Sequence, residues 1–461
     1  MESKKLKLSK WCHLFFFGEI VAIYHALSMN IIFMDEKKAI LLKNMAKQGS
    51  DELFLSVMFN DSEIKELLDN GILINESISD DEQLNSLRIS LIEDTKLDLM
   101  YLLLTDNCNM KCRYCFEDSP EISCDFKPSM MSEETACKSI DYFSWVTNKY
   151  GRPGGKRVIH LYGGEPTLNI PALKSAVIRV FELKEVNVLP KSTDVILITN
   201  GLLMDEELAT FLAEYKVAVG LSIDGPENLN NKYRIAKKDG VNVSAKSIQA
   251  YNTLIGHGVT VGLSATLTPE VVNNFPKVLS YFINNLKIKD GMSFNILHFS
   301  PAVPVDGEYY EKAAECLIKA FESFRELNIY EERMMRKVKS FVNQEAMLAD
   351  CGIVGNQIVI APDGQIGVCQ DFVKTRQYYY GSIYDKDYDP VKEGIFSKWR
   401  ESSPLFKPGC LDCEAVAICG GGCPASIELM AGDRNSIDVR ICPHSKLTLK
   451  WLIYESLQSL M

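Results

Sequence analysis

Three closely spaced cysteines are the residues of this sequence best suited to chemistry. Cys108, Cys112 and Cys115 follow an apolar segment, residues 99–104, and stand among polar residues that favour turns. Thiolates at this spacing can bind three irons of a four-iron cluster, so that the fourth iron has no protein ligand and is open to another molecule. A structural zinc site or three unrelated buried cysteines are the alternatives, although zinc sites usually show CxxC pairs.

A second set of cysteines lies towards the C-terminus. Its seven members are Cys351, Cys369, Cys410, Cys413, Cys419, Cys423 and Cys442. The 14 cysteines of the chain fall mainly in these two sets, whereas a small secreted protein held by disulfides has them more evenly spaced. This distribution predicts metal or iron–sulfur sites in a reducing compartment, and we therefore expect a cytoplasmic protein.

Composition and charge narrow the class of protein. The 461 residues are 46% hydrophobic, which predicts a globular chain of roughly two to four domains. There are 50 basic and 61 acidic residues, a net charge of -11, which argues against a nucleic-acid-binding surface. The apolar run 13–34 follows several lysines, as in a signal peptide or membrane anchor, but Glu19, His25 and Asn30 interrupt it. Because polar groups in lipid are costly, we expect no membrane insertion.

The chain from residue 97 onwards predicts the fold that positions the first cysteines. Candidate strands cover residues 99–104, 158–162, 195–199, 217–223, 259–265 and 292–298. Amphipathic helical patterns, such as residues 133–149 and 206–215, lie between them. Strands alternating with helices favour an α/β fold with a parallel sheet, here a partial (β/α)6 TIM-like barrel, whose functional residues follow the C-terminal strand ends. Cys108 follows the first strand and therefore stands at this edge.

Three short segments follow the next strands at the same edge. They are Gly163-Gly164-Glu165-Pro166, Thr199-Asn200-Gly201 and Ser222-Ile223-Asp224-Gly225-Pro226. Glycine lets the backbone approach a ligand closely, and Glu165, Ser222 and Asp224 supply carboxylate and hydroxyl groups. Each segment alone is an ordinary turn sequence, and their shared position is what indicates a site.

The first 80 residues predict a separate small unit. Three strands, residues 13–17, 20–26 and 31–34, precede three helices, residues 36–47, 51–59 and 62–70. This order resembles the winged-helix-like element that captures the leader of a precursor peptide, by adding it as a strand, in many enzymes that modify ribosomal peptides. A structural cap or a dimerisation module is the alternative. The polar, acidic residues 81–96 then predict a linker.

The motifs of residues 97–335 together resemble the radical S-adenosylmethionine (SAM) superfamily. The resemblance rests on Cys108-x3-Cys112-x2-Cys115 with its aromatic Tyr114, and on the glycine-rich and Ser222–Pro226 segments. It implies that the open iron chelates the amino and carboxylate groups of SAM, and that Arg234 pairs with the carboxylate. The residues implied in cofactor binding are Tyr114, Gly163, Gly164, Glu165, Pro166, Asn200, Ser222, Asp224 and Arg234. Asn230 and Asn231 depart from the His-Asp pair of many relatives.

The seven C-terminal cysteines, within residues 345–445, resemble the SPASM extension, an iron–sulfur domain of radical SAM enzymes that act on peptides. The predicted domain covers residues 336–461. The resemblance implies that Cys351, Cys369 and Cys423 hold one cluster, and we call these residues the first auxiliary group. It implies that four further cysteines hold another cluster, and these form the second auxiliary group: Cys410, Cys413, Cys419 and Cys442. Three [4Fe-4S] clusters and SAM are therefore the expected cofactors.

The first auxiliary group has no obvious fourth cysteine. Six residues after Cys351, where sulfatase-maturing relatives carry a ligand, the sequence has Gln357. Either an iron stays open to a substrate thiolate, or another residue such as Asp371 or Cys316 fills the position. Asp371 is also a candidate base, although the corresponding aspartate of sulfatase maturases directly follows its cysteine, whereas Gln370 intervenes here.

These resemblances imply an enzyme that modifies a ribosomally made precursor peptide. A 5'-deoxyadenosyl radical from SAM would abstract hydrogen, and a cysteine sulfur would join the carbon as a thioether. Carbon–carbon or carbon–oxygen crosslinking and formylglycine formation in a sulfatase are enzymatic alternatives, and an iron–sulfur electron carrier is the non-enzymatic one. The expected partners are a precursor peptide with an N-terminal leader and a reductant such as flavodoxin or ferredoxin, without nucleic acid or membrane.

Overall fold

A sheet of ten strands forms the centre of the molecule, for which we analysed a computed structural model. The structure describes residues 5–45, 50–51, 55–93, 95–115, 127–297, 300 and 302–460. The strands lie in the order Tyr330–Glu331, Gly291–Ile296, Val261–Leu267, Ala218–Ser222, Asp194–Thr199, Val158–Gly163, Leu99–Thr105, Gln357–Ile360, Gln365–Gly367 and Tyr379–Ser382. Neighbours are parallel up to Gln357–Ile360, and the last two strands are antiparallel.

The predicted α/β class and its six parallel strands are confirmed. The helices that connect or cover these strands include Glu133–Tyr150, Ile170–Glu185, Glu206–Glu214, Val243–Gly256 and Tyr309–Glu326. Several of these helices begin after an N-capping residue. For example, Asp205 Oδ1 accepts a hydrogen bond from Leu208 N at 2.8 Å. Buried and half-buried residues alternate along Asp194–Thr199, because successive side chains of a strand point to opposite faces of the sheet. One face of the sheet packs on helices, and the other is its inner face.

Three strands from the C-terminal region extend this sheet and were not predicted. Gln357–Ile360 pairs in parallel with Leu99–Thr105, and Gln357 lies opposite Leu99. All four residues of the added strand are buried, so its sequence has no alternation to reveal it. The pairing brings the segment between Cys351 and Cys369 beside the first strand of the predicted barrel.

The N-terminal unit contains two small sheets. One consists of Cys12–Phe17, Ile20–His25 and Ile31–Asp35, close to the three strands predicted. The other joins Ser50–Asp51, Lys5–Leu8 and Leu73–Asn75, which were not predicted. Two helices follow the predictions: Glu36–Met45, and Asp61–Asp69 with a capping box formed by Asn60 and Glu63. The predicted helix 51–59 lies partly outside the described residues.

The predicted linker 81–96 is wrong, because most of it is the helix Glu82–Glu93. Leu84 and Leu91 are buried, and Arg88 donates to Leu405 O from Nε at 3.0 Å and from Nη2 at 2.8 Å. Leucines at helical spacing therefore dock this segment on the C-terminal region, although its surface residues are polar and acidic.

Helices Glu332–Asn343 and Cys442–Gln458 pack together in the C-terminal region, and short helical turns carry the remaining cysteines. Arg400 reinforces the contact with helix Glu82–Glu93 by donating to Ile92 O and Thr95 Oγ1. Across the described residues, none of the helices combines the length and the apolar character that spanning a membrane requires.

Candidate functional site

The loop of residues 108–115 is held in place by the segment that follows helix Glu227–Tyr233. Lys111 N donates to Ile235 O at 2.8 Å, and Lys237 N donates to Asn109 O at 2.8 Å. The side chain of Asn109 also accepts from Asn200 Nδ2 at 2.8 Å. Contacts with this segment and with the end of strand Asp194–Thr199 thus fix the conformation of the cysteine loop.

Backbone N–H groups within the loop form hydrogen bonds to the cysteines. Met110 N lies 3.4 Å from Cys108 Sγ, within reach of a hydrogen bond to sulfur. Cys115 N donates to Cys112 O at 3.0 Å and closes a turn that keeps these two cysteines near each other. Amide donors to sulfur stabilise the negative charge that a thiolate-bound cluster carries.

Gly163 and Gly164 make room for the backbone that leads into the cysteine loop. A Cβ added to Gly163 would lie 2.1 Å from Thr105 O, and one added to Gly164 would lie 2.3 Å from Asn107 O. Gly163 also has φ of 134°, which disfavours a side chain. The close approach of the two backbone segments therefore requires glycine at both positions, and the predicted contact of these glycines with a ligand stays a prediction.

Glu165 ties three strand ends together. It is 1% exposed, and its carboxylate accepts from Thr167 N and from the hydroxyls of Thr167 and Thr199. Asn200 N donates to Glu165 Oε2 at 2.8 Å. Burial raises the pKa of Glu165, and these hydrogen bonds oppose the rise. These hydrogen bonds fix the carboxylate at the end of strand Asp194–Thr199, and Glu165 also caps the turn that begins at Pro166. Its predicted role in cofactor binding stays a prediction.

Tyr114, Asp224 and Arg234 form a buried hydrogen-bonded set beside the loop. Tyr114 OH donates to Asp224 Oδ2 at 2.6 Å and accepts from Arg234 Nη1 at 2.9 Å. Thr266 N donates to the other oxygen of Asp224 at 2.9 Å. Burial raises the pKa of Asp224, and the Arg234 guanidinium opposes that rise. The three residues converge next to Cys112, whose charge acts on Tyr114 and Arg234.

Asn230 and Asn231, the departures from the family pattern, have structural roles. Asn230 Oδ1 accepts from Asp224 N at 3.0 Å, and Asn231 Oδ1 accepts from Ser244 N at 2.8 Å. They connect helix Glu227–Tyr233 to the strand end and to the next helix. Ser222 is half-buried at the last position of its strand.

Residues 102–280 match the family model of the radical SAM superfamily. The chain contains a radical SAM domain. It is similar to the radical SAM cyclopropyl synthase TigE of Paramaledivibacter caminithermalis, at 23% identity over 79% of this chain and 76% of that protein. It is also similar to a cysteine-type anaerobic sulfatase-maturating enzyme of Clostridium perfringens, at 27% identity over 71% of this chain and 88% of that enzyme.

A solved structure shares the fold over most of the length. Streptococcus suis SuiB bound to its precursor peptide SuiA aligns with a TM-score of 0.52 and 17% identity, covering 95% of this chain and 99% of SuiB. Likeness at this identity shows the fold alone. The alignment extends beyond the radical SAM domain to both ends of the chain.

Radical SAM domains use a [4Fe-4S] cluster and SAM, and the residues described above fit these groups. Arg234 is 7% exposed, yet its Nε has no hydrogen-bond partner among the described residues. A buried guanidinium nitrogen left unpaired beside Cys112 suits an anionic ligand such as the carboxylate of SAM. Tyr114 and Asp224 hold the guanidinium there.

Outside the radical SAM domain, the first auxiliary group comes together around Asp371. Burial raises the pKa of Cys369 and Cys423 well above the ordinary value, and the charges of Asp371 and Cys351 raise both further. Ser426 N lies 3.4 Å from Cys423 Sγ, and backbone amides also reach the other two sulfurs. Burial alone raises the pKa of Asp371 to about 6. The structure thus places one carboxyl among three cysteines.

Gln357 borders the first auxiliary group. Its side chain is 2% exposed, Nε2 donates to Val368 O at 2.8 Å, and Oε1 lies 4.0 Å from Cys351 Sγ. An amide side chain therefore occupies the position where sulfatase-maturing relatives carry a cysteine. Cys316, a predicted alternative ligand, is not brought here, because it packs into the core from helix Tyr309–Glu326.

The second auxiliary group also comes together. Burial raises the pKa of Cys442 to about 12, and three neighbours contribute to the rise: Cys419, Cys413 and Cys410. Burial and the charge of Cys419 likewise raise the pKa of Cys410. In the part of the chain that the structure describes, no three His, Cys, Asp or Glu side chains converge as ligands of a single metal ion. A four-iron cluster is larger than one ion and binds cysteines that are farther apart.

Sequence reasoning missed the residues on the inner face of the sheet between these sites. The rings of Tyr101 and His160 are in tilted contact, with 4.8 Å between their centroids, and burial lowers the pKa of His160 to about 4. Arg333 Nε donates to Asn295 Oδ1 at 3.0 Å. Burial raises the pKa of Tyr101, the charge of Cys351 adds to that rise, and the charge of Arg333 opposes it. The half-buried positions that alternate along the strands were the available signal for such a lining.

Proposed function

We propose that this protein is a radical SAM maturase that forms sulfur-to-carbon thioether crosslinks in a ribosomally synthesised precursor peptide. The observation that carries the proposal is the composition of the first auxiliary group. Cys351, Cys369 and Cys423 supply three thiolates, and Gln357 stands where a fourth would be expected. No fourth cysteine joins them among the residues described. A cluster bound there would keep one iron open for a substrate thiolate.

The relatives support a peptide substrate. TigE is named a cyclopropyl synthase, and SuiB was solved with a precursor peptide, whereas the Clostridium perfringens relative matures a sulfatase. We infer that the present chain likewise receives a peptide segment on the inner face of the sheet. The residues proposed to contact it are half-buried: Tyr101, His160, Asn295 and Arg333.

The chain's own residues have distinct roles in this scheme. SAM bound at the cysteine loop supplies the 5'-deoxyadenosyl radical that removes hydrogen from the peptide. Arg234 binds the carboxylate of SAM, and Tyr114 and Asp224 hold the guanidinium in place. Asp371 accepts the thiol proton of the substrate cysteine beside the three cluster thiolates.

The proposed reaction balances without a further oxidant. One C–H bond and one S–H bond of the peptide break, and one C–S bond forms. SAM becomes methionine and 5'-deoxyadenosine, which takes the hydrogen atom. The electron that a reductant such as flavodoxin or ferredoxin provides to start the reaction is matched by one that leaves the peptide through the auxiliary clusters.

The N-terminal unit is proposed to bind the leader of the precursor. Of its two sheets, the one centred on Ile20–His25 has Cys12–Phe17 and Ile31–Asp35 as its edge strands. Phe17 packs on Tyr454 of the last helix, at 5.8 Å between ring centroids, so one edge is close to the C-terminal region. We therefore propose that the leader adds as a strand along Ile31–Asp35.

Tandem mass spectrometry of reacted peptides tests the thioether. Peptides encoded by short reading frames beside the gene would be incubated with the reconstituted protein, SAM and dithionite, and then alkylated. We expect a product that has lost two hydrogens per crosslink and whose crosslinked cysteines resist alkylation. A modified product with every thiol still open to alkylation would contradict the proposal. Cys108→Ala is the control, because it removes a proposed ligand of the cluster that binds SAM.

Formylglycine formation is the second candidate, favoured by the 88% coverage of the Clostridium perfringens enzyme. Gln357 in place of a cysteine and the shifted position of Asp371 weigh against it. Incubation with a sulfatase-derived peptide distinguishes the two candidates. Formylglycine is an aldehyde and reacts with hydrazides, whereas a thioether does not react with them. Crosslinking without sulfur would instead appear with a peptide that contains no cysteine.

A further inference from the structure

Lys337, on helix Glu332–Asn343, is a buried charge that the proposed reaction does not use. Its side chain is 3% exposed. Its Nζ lies 3.1 Å from Ile418 O, 3.4 Å from Cys419 O and 3.1 Å from Ser445 Oγ. An ammonium group has three hydrogens to donate and no acceptor, so three surrounding oxygens match its charged form.

The orientation of Ser445 supports this protonation state. Its hydroxyl donates to Ile441 O at 3.2 Å, and it therefore accepts, rather than donates, in the contact with Lys337. All three oxygens around the Nζ are thus acceptors. A neutral amine could satisfy only two of them.

Lys337 has no carboxylate partner among the described residues. Asp350, whose charge reaches it, is paired with Arg336 at 3.0 Å. Burial lowers the pKa of Lys337, and a negative charge nearby would keep its ammonium group protonated, as its three acceptors require. The carbonyl that Lys337 binds belongs to Cys419, a member of the second auxiliary group.

A second buried lysine also adjoins the second auxiliary group. Lys407 is 3% exposed, and its Nζ donates to Ser436 O at 2.7 Å. It has no ion pair in the described part of the chain. Burial lowers the pKa of Lys407, and the charge of Cys410 opposes that change. Two buried lysines therefore adjoin the same set of four cysteines, which would carry net negative charge as thiolate ligands of a cluster.

We propose that Lys337 is the counter-ion of an iron–sulfur cluster held by the second auxiliary group and that it raises the reduction potential of that cluster. Reduction adds an electron to a group that is already anionic, and a nearby positive charge stabilises the reduced form more than the oxidised one. The inference rests on the proposed function only in requiring this cluster; it does not require thioether chemistry.

Potentials measured on the full chain test the role of Lys337. The protein would be reconstituted anaerobically and titrated with dithionite while its EPR spectrum is recorded, and the signal that Cys413→Ala removes identifies the second auxiliary group. Lys337→Met removes the charge, and Lys337→Arg keeps it. Lys339→Met is the matched control, because Lys339 is exposed on the same helix two residues further on.

We expect Lys337→Met to shift the equilibrium towards the oxidised cluster at least tenfold, which is 59 mV for one electron. Lys337→Arg and Lys339→Met should stay within about twofold of the wild type, since one keeps the charge and the other removes a charge that solvent screens. An unchanged potential in Lys337→Met, or equal shifts in the Met and Arg variants, would overturn the proposal.

Iron content keeps the test decisive if Lys337→Met loses the cluster. Loss of roughly four of twelve irons in the Met variant but not in the Arg variant supports the counter-ion role, and loss in both overturns it. A wild-type protein with roughly eight irons and no signal dependent on Cys413 also overturns it. Free peptide thiols after reaction, by contrast, would contradict the thioether and leave the potential shift of Lys337→Met in place.

Discussion

The two auxiliary groups lie in the same C-terminal region, yet a different kind of buried side chain adjoins each of them. Asp371 lies among Cys351, Cys369 and Cys423, and burial alone shifts its pKa upward, to about 6. The second auxiliary group has four cysteines and is flanked by two buried lysines, Lys337 and Lys407.

This contrast suggests a division of labour. A three-cysteine group beside a carboxyl is suited to bind a substrate thiol and accept its proton, because a ligand position and a base are both present. A four-cysteine group beside buried cations is complete and favours an added electron.

Removing one cysteine from each group should have different consequences. We expect Cys369→Ala to abolish thioether formation while SAM is still cleaved, because the sulfur would lose its binding place. Cys413→Ala should still give product in a single turnover, since it impairs only the onward transfer of the electron. Product and 5'-deoxyadenosine, quantified together by mass spectrometry, measure this. Equal loss of product in both variants would remove the proposed distinction.

Completing the first auxiliary group should also block the reaction. Gln357→Cys places a thiol close to Cys351, with which Gln357 Oε1 is in contact at 4.0 Å. We expect the iron content to be retained and most thioether formation to be lost, because the added cysteine would fill the open iron. Asn356→Cys, one residue earlier, is the matched control for an added thiol. Full activity of Gln357→Cys would show that the open position lies elsewhere.

The sequence predicted those parts of the molecule whose signals are local. The cysteine spacings and the six barrel strands are examples, because alternation along residues such as 194–199 records which face is buried. The helix Glu82–Glu93 was mistaken for a linker because its polar composition outweighed the spacing of Leu84, Leu87 and Leu91.

Features that depend on distant partners could not be predicted in this way. Lys337 resembles any helical lysine until the turn at Cys419 and the helix containing Ser445 are packed around it. The close approach of Thr105 O to Gly163 likewise depends on the pairing of two strands that are distant in the sequence. The strand Gln357–Ile360 is uniformly buried, so only its pairing partner identifies it.

Asp371→Asn distinguishes a base from a ligand within the first auxiliary group. As a general base, Asp371 should contribute about 10²- to 10⁴-fold to thioether formation. The Asn variant should then lose that much activity while the EPR signal of the cluster stays unchanged. An altered signal in Asp371→Asn would instead identify the carboxylate as the fourth ligand of the cluster. Asp363→Asn, at an exposed aspartate eight residues earlier in the chain, is the control for loss of a carboxylate.

Lys407→Met should produce the smallest effect. Its Nζ donates to a single carbonyl, that of Ser436, and the charge of Asp438 already acts on it. Asp438 is itself paired with Arg440 at 2.7 Å, so it neutralises Lys407 only in part. We therefore expect a shift towards the oxidised second auxiliary cluster of about two- to fivefold, smaller than for Lys337→Met. A larger shift than that of Lys337→Met would mean that Lys407 is the principal counter-ion, and no shift would mean that a single cation balances the cluster.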